Sequence, residues 1–191
     1  MALQPGVNIV IPNHEPTKCS YQRNGIVRGY AANTNQGLVR TYNEDRVSII
    51  LNIVKPDHRA HESWPKCSFF GVYDGHGGSA CAEYLRDNLH HCVVREDAFP
   101  WQPMTAIREG FKKAEQQFIA KCQAVDEKTK QPTVIEKSGS CAIVVLIVGE
   151  MCYVANVGDS RAVLSSSQEP KMTALSRDHK PSDIDEYKRI V

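Results

Sequence analysis

Apolar positions along this chain switch between three spacings, and the switches divide it into elements. Residues 26–34, 46–53 and 67–73 are rich in β-branched and aromatic side chains, the types that fit a pleated, half-buried surface, and predict three strands. After Gly77-Gly78 the spacing becomes helical. Cys81, Leu85, Leu89 and Cys92/Val93 then fall on one face, with Glu83, Arg86, Asp87 and His90 largely opposite. In a second helix Met104, Ile107, Phe111, Ala114, Phe118 and Cys122 recur at three- and four-residue steps. It starts near Pro103, a residue tolerated in a first turn because its missing N–H has no partner there. Two such helices in series are expected to pack antiparallel on one sheet face.

Residues 125–137 are polar and read as a loop, whereas 141–148 are apolar at every position, which predicts a central strand buried on both faces. Gly149-Glu150 supplies a two-residue turn into a strand over 151–157. Gly158-Asp159 turns that strand towards 162–165, giving an antiparallel meander. The first 25 residues hold Pro5, Pro12 and Pro16 among polar residues and read as a surface arm, in which 7–11 is a possible edge strand. The domain division is therefore an arm over 1–25 and one folded domain over 26–191. Alternating blocks of strands and paired helices favour an α+β layered fold over a parallel doubly wound sheet.

Composition narrows the function. Lys and Arg total 23 against 22 Asp and Glu, with no long block of either sign, so neither nucleic acid nor an anionic membrane is an expected partner. No stretch approaches the roughly 18 apolar residues of a spanning helix. The seven cysteines are odd in number, lack Cys-x-x-Cys spacing and mostly fall in apolar runs, so they read as reduced core thiols. A cytoplasmic or nuclear monomer is expected.

Chemistry concentrates at strand ends. In Phe70-Gly71-Val72-Tyr73-Asp74-Gly75-His76-Gly77-Gly78 an apolar strand ends in a carboxylate, a glycine, an imidazole and two more glycines. Asp74 would stand at the sheet edge with free oxygens, and Gly75 would let its backbone approach a ligand. Arg40-Thr41-Tyr42-Asn43-Glu44-Asp45 pairs adjacent carboxylates with a guanidinium, which suits a hard-cation site beside a phosphate clamp. Gly158-Asp159-Ser160-Arg161 lies between two apolar strands. Taken singly, each of the three is equally readable as a turn.

Taken together and in this order, with Ser138-Gly139-Ser140, Ala155 to Arg161 and Ser176-Arg177-Asp178-His179-Lys180-Pro181, the segments resemble the type 2C, metal-dependent protein serine/threonine phosphatase family. The resemblance runs from about Gly29 to the last residue. It implies an α+β fold with a central sandwich of two antiparallel β-sheets flanked by helix pairs, in four layers, and a two-metal centre at one end. It further implies Mg²⁺ or Mn²⁺ as cofactor, two ions per complete site and a third, weaker one, with phosphoproteins as substrates. By position, Asp74 would bridge two ions and Gly75 would offer its carbonyl. Glu44 and Asp45 would hold metal-bound waters or touch the metals, Arg40 would bind the phosphate, His76 would be the general acid, and Asp159 would ligate the third ion. A water shared by two cations ionises near neutral pH, so no covalent phosphoenzyme is required.

The family continues with segments that supply further metal-binding aspartates, and these lie beyond Val191, so the chain reads as a domain truncated at its C-terminus. The competing function is a non-catalytic, pseudophosphatase-like binding module. Cysteine phosphatases are excluded by the absence of Cys-x5-Arg. The Gly-Asp-x-His-Gly metallophosphatases and Gly-x-Ser-x-Gly hydrolases are excluded likewise.

Overall fold

The computed structural model describes residues 16–125, 131–166 and 171–191. Strands β1 (Lys18–Ser20), β2 (Tyr30–Ala32), β3 (Arg46–Ile50), β4 (Cys67–Tyr73) and β5 (Gly75–His76) precede helices α1 (Ala80–Val94) and α2 (Pro103–Lys121). Then come β6 (Gln123–Val125), β7 (Pro132–Val134), β8 (Gly139–Ser140), β9 (Ala142–Val148), β10 (Met151–Val157), β11 (Val163–Ser165), β12 (Met172–Ala174) and α3 (Ile184–Ile190). The fold is α+β with antiparallel sheets. Its largest sheet has four strands in the order β10-β9-β4-β3.

Alternation along these strands sorts the core. Cys67, Phe69 and Tyr73 of β4 and Ala142, Val144 and Leu146 of β9 are buried on one face, where they meet Ala82, Leu89 and Val93 of α1 and Ala106 and Ala114 of α2. The run 142–148 is apolar throughout because β9 lies between β4 and β10, with Ile143 buried on the opposite face. On that opposite face β2 and the Arg161-Ala162 segment stand beside Phe70, Val72 and Val145 and line an open cleft of about 340 Å³. Layers of helix, sheet and further β-structure are thus stacked in the expected order. The helices approach closely at Gly110, where a Cβ would overlap Val93.

Several expected elements are differently drawn. The stretch 26–34 contributes only Tyr30–Ala32, because Val27 instead closes a tight bridge with Asn24. The arm is not wholly a surface strand of coil: Lys18–Ser20 pairs with β2. Buried Asn24 donates to Leu51 and Cys67 carbonyls and to Ser68 Oγ, so this polar residue is held by satisfied hydrogen bonds. The expected edge strand at 7–11 lies outside the described residues. The polar 125–137 segment includes most of the β6–β7 hairpin. Finally, β11 pairs with β12 and not with β10, so the predicted three-strand meander is only a hairpin at β9–β10.

Candidate metal centre

The candidate residues gather where β4 ends. Asp74 lies between β4 and β5, and β5 leaves the main sheet to pair with β8, Gly75 opposite Ser140 and His76 opposite Gly139. That change of partner turns Asp74 out of the ladder while its carbonyl stays tied down, accepting from Cys141 N at 2.8 Å and Ser140 Oγ at 3.2 Å. The carboxylate itself is exposed. Glycine is required at two of these positions by space. A Cβ at Gly75 would collide with the Glu44 carbonyl, and one at Gly139 with the His76 ring.

Glu44 and Asp45 arrive from the loop ahead of β3. Glu44 Oε1 accepts from the Gly78 backbone N–H at 2.6 Å and from Tyr42 OH at 3.3 Å. Gly77 and Gly78 both have positive φ, at 68° and 126°, which lets the backbone curl so that the Gly78 N–H points at the carboxylate. Arg40 reaches Glu44 Oε2 only at 3.9 Å and is 75% exposed, so its guanidinium stands open to a phosphate. Asp45 is held above the usual carboxylate range by burial first, then by the charges of Asp74 and Glu44, with Arg46 opposing. Three acidic groups therefore crowd a partly buried place, which is what a divalent cation would relieve.

Asp159 comes from the turn after β10. Ligand atoms of Asp74, Cys141 and Asp159 lie within 4.8 Å of one another, a spacing and donor set that suit a metal ion. The donors present fit divalent cations: carboxylates on neighbouring strand ends, with a glycine carbonyl beside them. The structure thus brings Asp74 together with Asp159, and Asp45 and Glu44 with Gly75, while His76 stands exposed next to Gly139 and Arg40 stands at the rim.

Sequence reasoning missed three supports. Arg46 donates to the carbonyls of Asn43 and Asp45, both at 2.8 Å, and pairs with Glu83 of α1, fixing the carboxylate loop to the helix. The Asp178-His179 segment braces the Asp159 turn. Arg161 donates to both Asp178 oxygens at 2.9 Å, and the His179 N–H donates to the Gly158 carbonyl at 2.9 Å. Ser138 Oγ accepts from Cys81 N at 3.0 Å, satisfying a free donor in the first turn of α1. A further miss is Cys141 itself. Of seven free cysteines only Cys67, Cys81 and Cys92 are buried, so the core-thiol reading holds for these and fails for Cys141, whose position at the head of an apolar run disguised it.

Antiparallel sheets with a helix pair on one face and carboxylates gathered at a strand end make this an α+β protein with a candidate metal centre. A family model described as Protein phosphatase 2C matches residues 30–191, and the chain belongs to that family. A probable protein phosphatase 2C of Caenorhabditis elegans is 46% identical over 128 residues, 66% of this chain and 33% of the relative. Probable protein phosphatase 2C 56 of Oryza sativa subsp. japonica is 33% identical over 183 residues, 91% of this chain and 47% of the relative. The chain thus spans a third to a half of these relatives' length. Among solved structures, a bacterial serine phosphatase shares the fold with a TM-score of 0.56 at 19% identity, over 87% of this chain and 63% of its own. The serine-threonine phosphatase 2C of Toxoplasma gondii does so at 0.52 and 19%, over 76% and 53%. Among the described residues no helix is long and apolar enough to cross a membrane.

Proposed function

We propose that the protein hydrolyses phosphoserine and phosphothreonine in phosphoproteins at the β4 strand end, using Mg²⁺ or Mn²⁺. The observation that carries this reading is the convergence of Asp74, Glu44 and Asp45 around Gly75, with exposed Arg40 beside them. When bound, the cations supply Lewis acidity, activating water and neutralising phosphoryl oxygens.

The chain's own residues do the remainder. Asp74 would hold two ions through its two oxygens, with the Gly75 carbonyl, Glu44 and Asp45 completing the set directly or through water, and Asp159 would hold a third. Arg40 would clamp two phosphate oxygens with its paired N–H groups, a geometry lysine does not match. An imidazole nitrogen of His76 would give its proton to the departing serine or threonine oxygen, since an unprotonated alkoxide is a poor leaving group. The Gly78 N–H and Arg46 would keep Glu44 and Asp45 in place through the cycle, so that little reorganisation is needed when charge moves.

Assay of phosphoserine-peptide hydrolysis with Mn²⁺, with chelator, and with Asp74→Asn tests the reading. Hydrolysis that needs both the metal and Asp74 is expected. His76→Ala should lower turnover by about 10²–10⁴-fold while leaving metal affinity intact, the range typical of a lost general acid. In calorimetric titration with Mn²⁺, Asp74→Asn should weaken binding far more than Asp159→Asn, and equal effects would contradict the assigned roles. Metal binding without any hydrolysis would turn the assignment to a binding module built on the same fold.

A further inference from the structure

Cys141 has no task in the hydrolysis set out above, yet its thiol stands among the carboxylates. It heads β9. Its N–H donates to the Asp74 carbonyl at 2.8 Å, and its thiol donates to Asp159 Oδ1 at 3.5 Å. The sulfur is held from the other side as well. Gly158, at φ 104°, presses its backbone so close that a Cβ there would overlap Cys141 Sγ. The three donors lie just after β4, just before β9 and just after β10, and β9 pairs with both of its neighbours, so the adjoining ladders bring them side by side.

The spacing has a chemical meaning. Zinc takes thiolate sulfur at about 2.3 Å and carboxylate oxygen at about 2.1 Å, so two such ligands at a tetrahedral angle stand about 3.6 Å apart. The 3.5 Å hydrogen bond between Cys141 Sγ and Asp159 Oδ1 has the length of that edge, so an ion can replace the thiol proton there, while the exposed Asp74 carboxylate, within 4.8 Å, closes the set by side-chain rotation. Mg²⁺ and Mn²⁺ gain little from sulfur, whereas borderline-soft ions gain much.

We propose that Asp74, Cys141 and Asp159 form a zinc-class site at the margin of the metal centre, one thiolate joining two carboxylates with water in the fourth position. On ligation the thiol releases its proton to solvent, so binding of the ion frees one proton. The proposal rests on the reading of Asp74 and Asp159 as metal ligands. Because Asp74 serves both sets, a zinc-class ion and Mn²⁺ compete for it.

Cobalt(II) is the probe, since sulfur ligation gives it a strong charge-transfer absorption in the near ultraviolet and oxygen ligation does not. Titration of the reduced, intact chain with Co²⁺ should raise this band to saturation at a single equivalent, and Zn²⁺ should displace it. The band should vanish in Cys141→Ser and persist in Cys152→Ser, a change at an exposed cysteine outside the cluster. Zinc affinity in Cys141→Ser should fall at least about tenfold, the lower end of what even an outer-shell change costs a metal site. Mn²⁺ affinity should stay unchanged, and a native far-ultraviolet circular dichroism spectrum would show that the variant folds. No band in the unsubstituted chain, or a band that survives Cys141→Ser, overturns the proposal and leaves the hydrolytic reading standing. Unchanged Mn²⁺ affinity in Asp74→Asn counts against both.

Discussion

His90 shows how a residue placed on the polar side of a helix by periodicity ends up half-buried. Its ring lies 6.2 Å from Phe69 and 3.9 Å from His91, centre to centre, and among the described residues its enclosed Nδ1 has no hydrogen-bond partner. Burial, and then the charge of His91, push its pKa down to about 4 from an ordinary 6.5, with Asp87 acting weakly the other way. The unfolded chain then binds a proton that the folded one refuses between these two values, so stability falls as pH drops from about 6.5 to about 4 and is flat on this account above that window. Urea midpoints measured across this range should fall with acid. His90→Leu should flatten the dependence, and an unaltered slope in that variant would assign it to other groups.

The same scale explains what was legible at the site. Asp74 and His76 announce themselves as polar residues where an apolar strand stops, and Glu44 and Asp45 as adjacent carboxylates just ahead of another strand. Cys141 does not, because a thiol beside seven apolar residues has the hydropathy of its neighbours. Its meaning comes only from the register that sets β9 between β4 and β10.

At the scale of elements, α1 and α2 were readable because each keeps a 3.6-residue apolar period, and β9 because nothing polar interrupts it. The stretches missed, Lys18–Ser20 and the β6–β7 hairpin, are three-residue strand pairs held by backbone hydrogen bonds, too short for a side-chain pattern to mark them. The α1–α2 contact leaves no room for a side chain at Gly110. Gly110 costs helix stability relative to alanine by roughly 0.5–1 kcal/mol, but a Cβ there would overlap the Val93 side chain and backbone. Overpacking typically costs about 1–3 kcal/mol, so Gly110→Ala should be net destabilising in urea titration despite better helix propensity. Leu89→Ala, at a fully buried position, should cost about 2–5 kcal/mol by leaving a cavity. A stabilised Gly110→Ala would mean that the helices part without penalty.

For the whole molecule, charge is close to balanced and gives no long-range field, so cation affinity must arise locally, from carboxylates that fold together. Folding and cation binding are then linked. At a free Mn²⁺ concentration 100 times the dissociation constant, the native state should gain about 2.7 kcal/mol, seen as a rise in melting temperature. Asp74→Asn should lose most of that rise. An equal rise in the variant would place the ion elsewhere.

The clasp between Arg161 and Asp178 can also be viewed as a mechanical part. The turn carrying Asp159 is moored to the segment just ahead of α3, and α3 itself buries no residue and is secured at its start by Arg177 against Asp183 and Asp185. A tug on that helix therefore runs along a short tether to the carboxylate end of the sheet. Whatever grips α3 thereby holds a lever on the turn that carries Asp159.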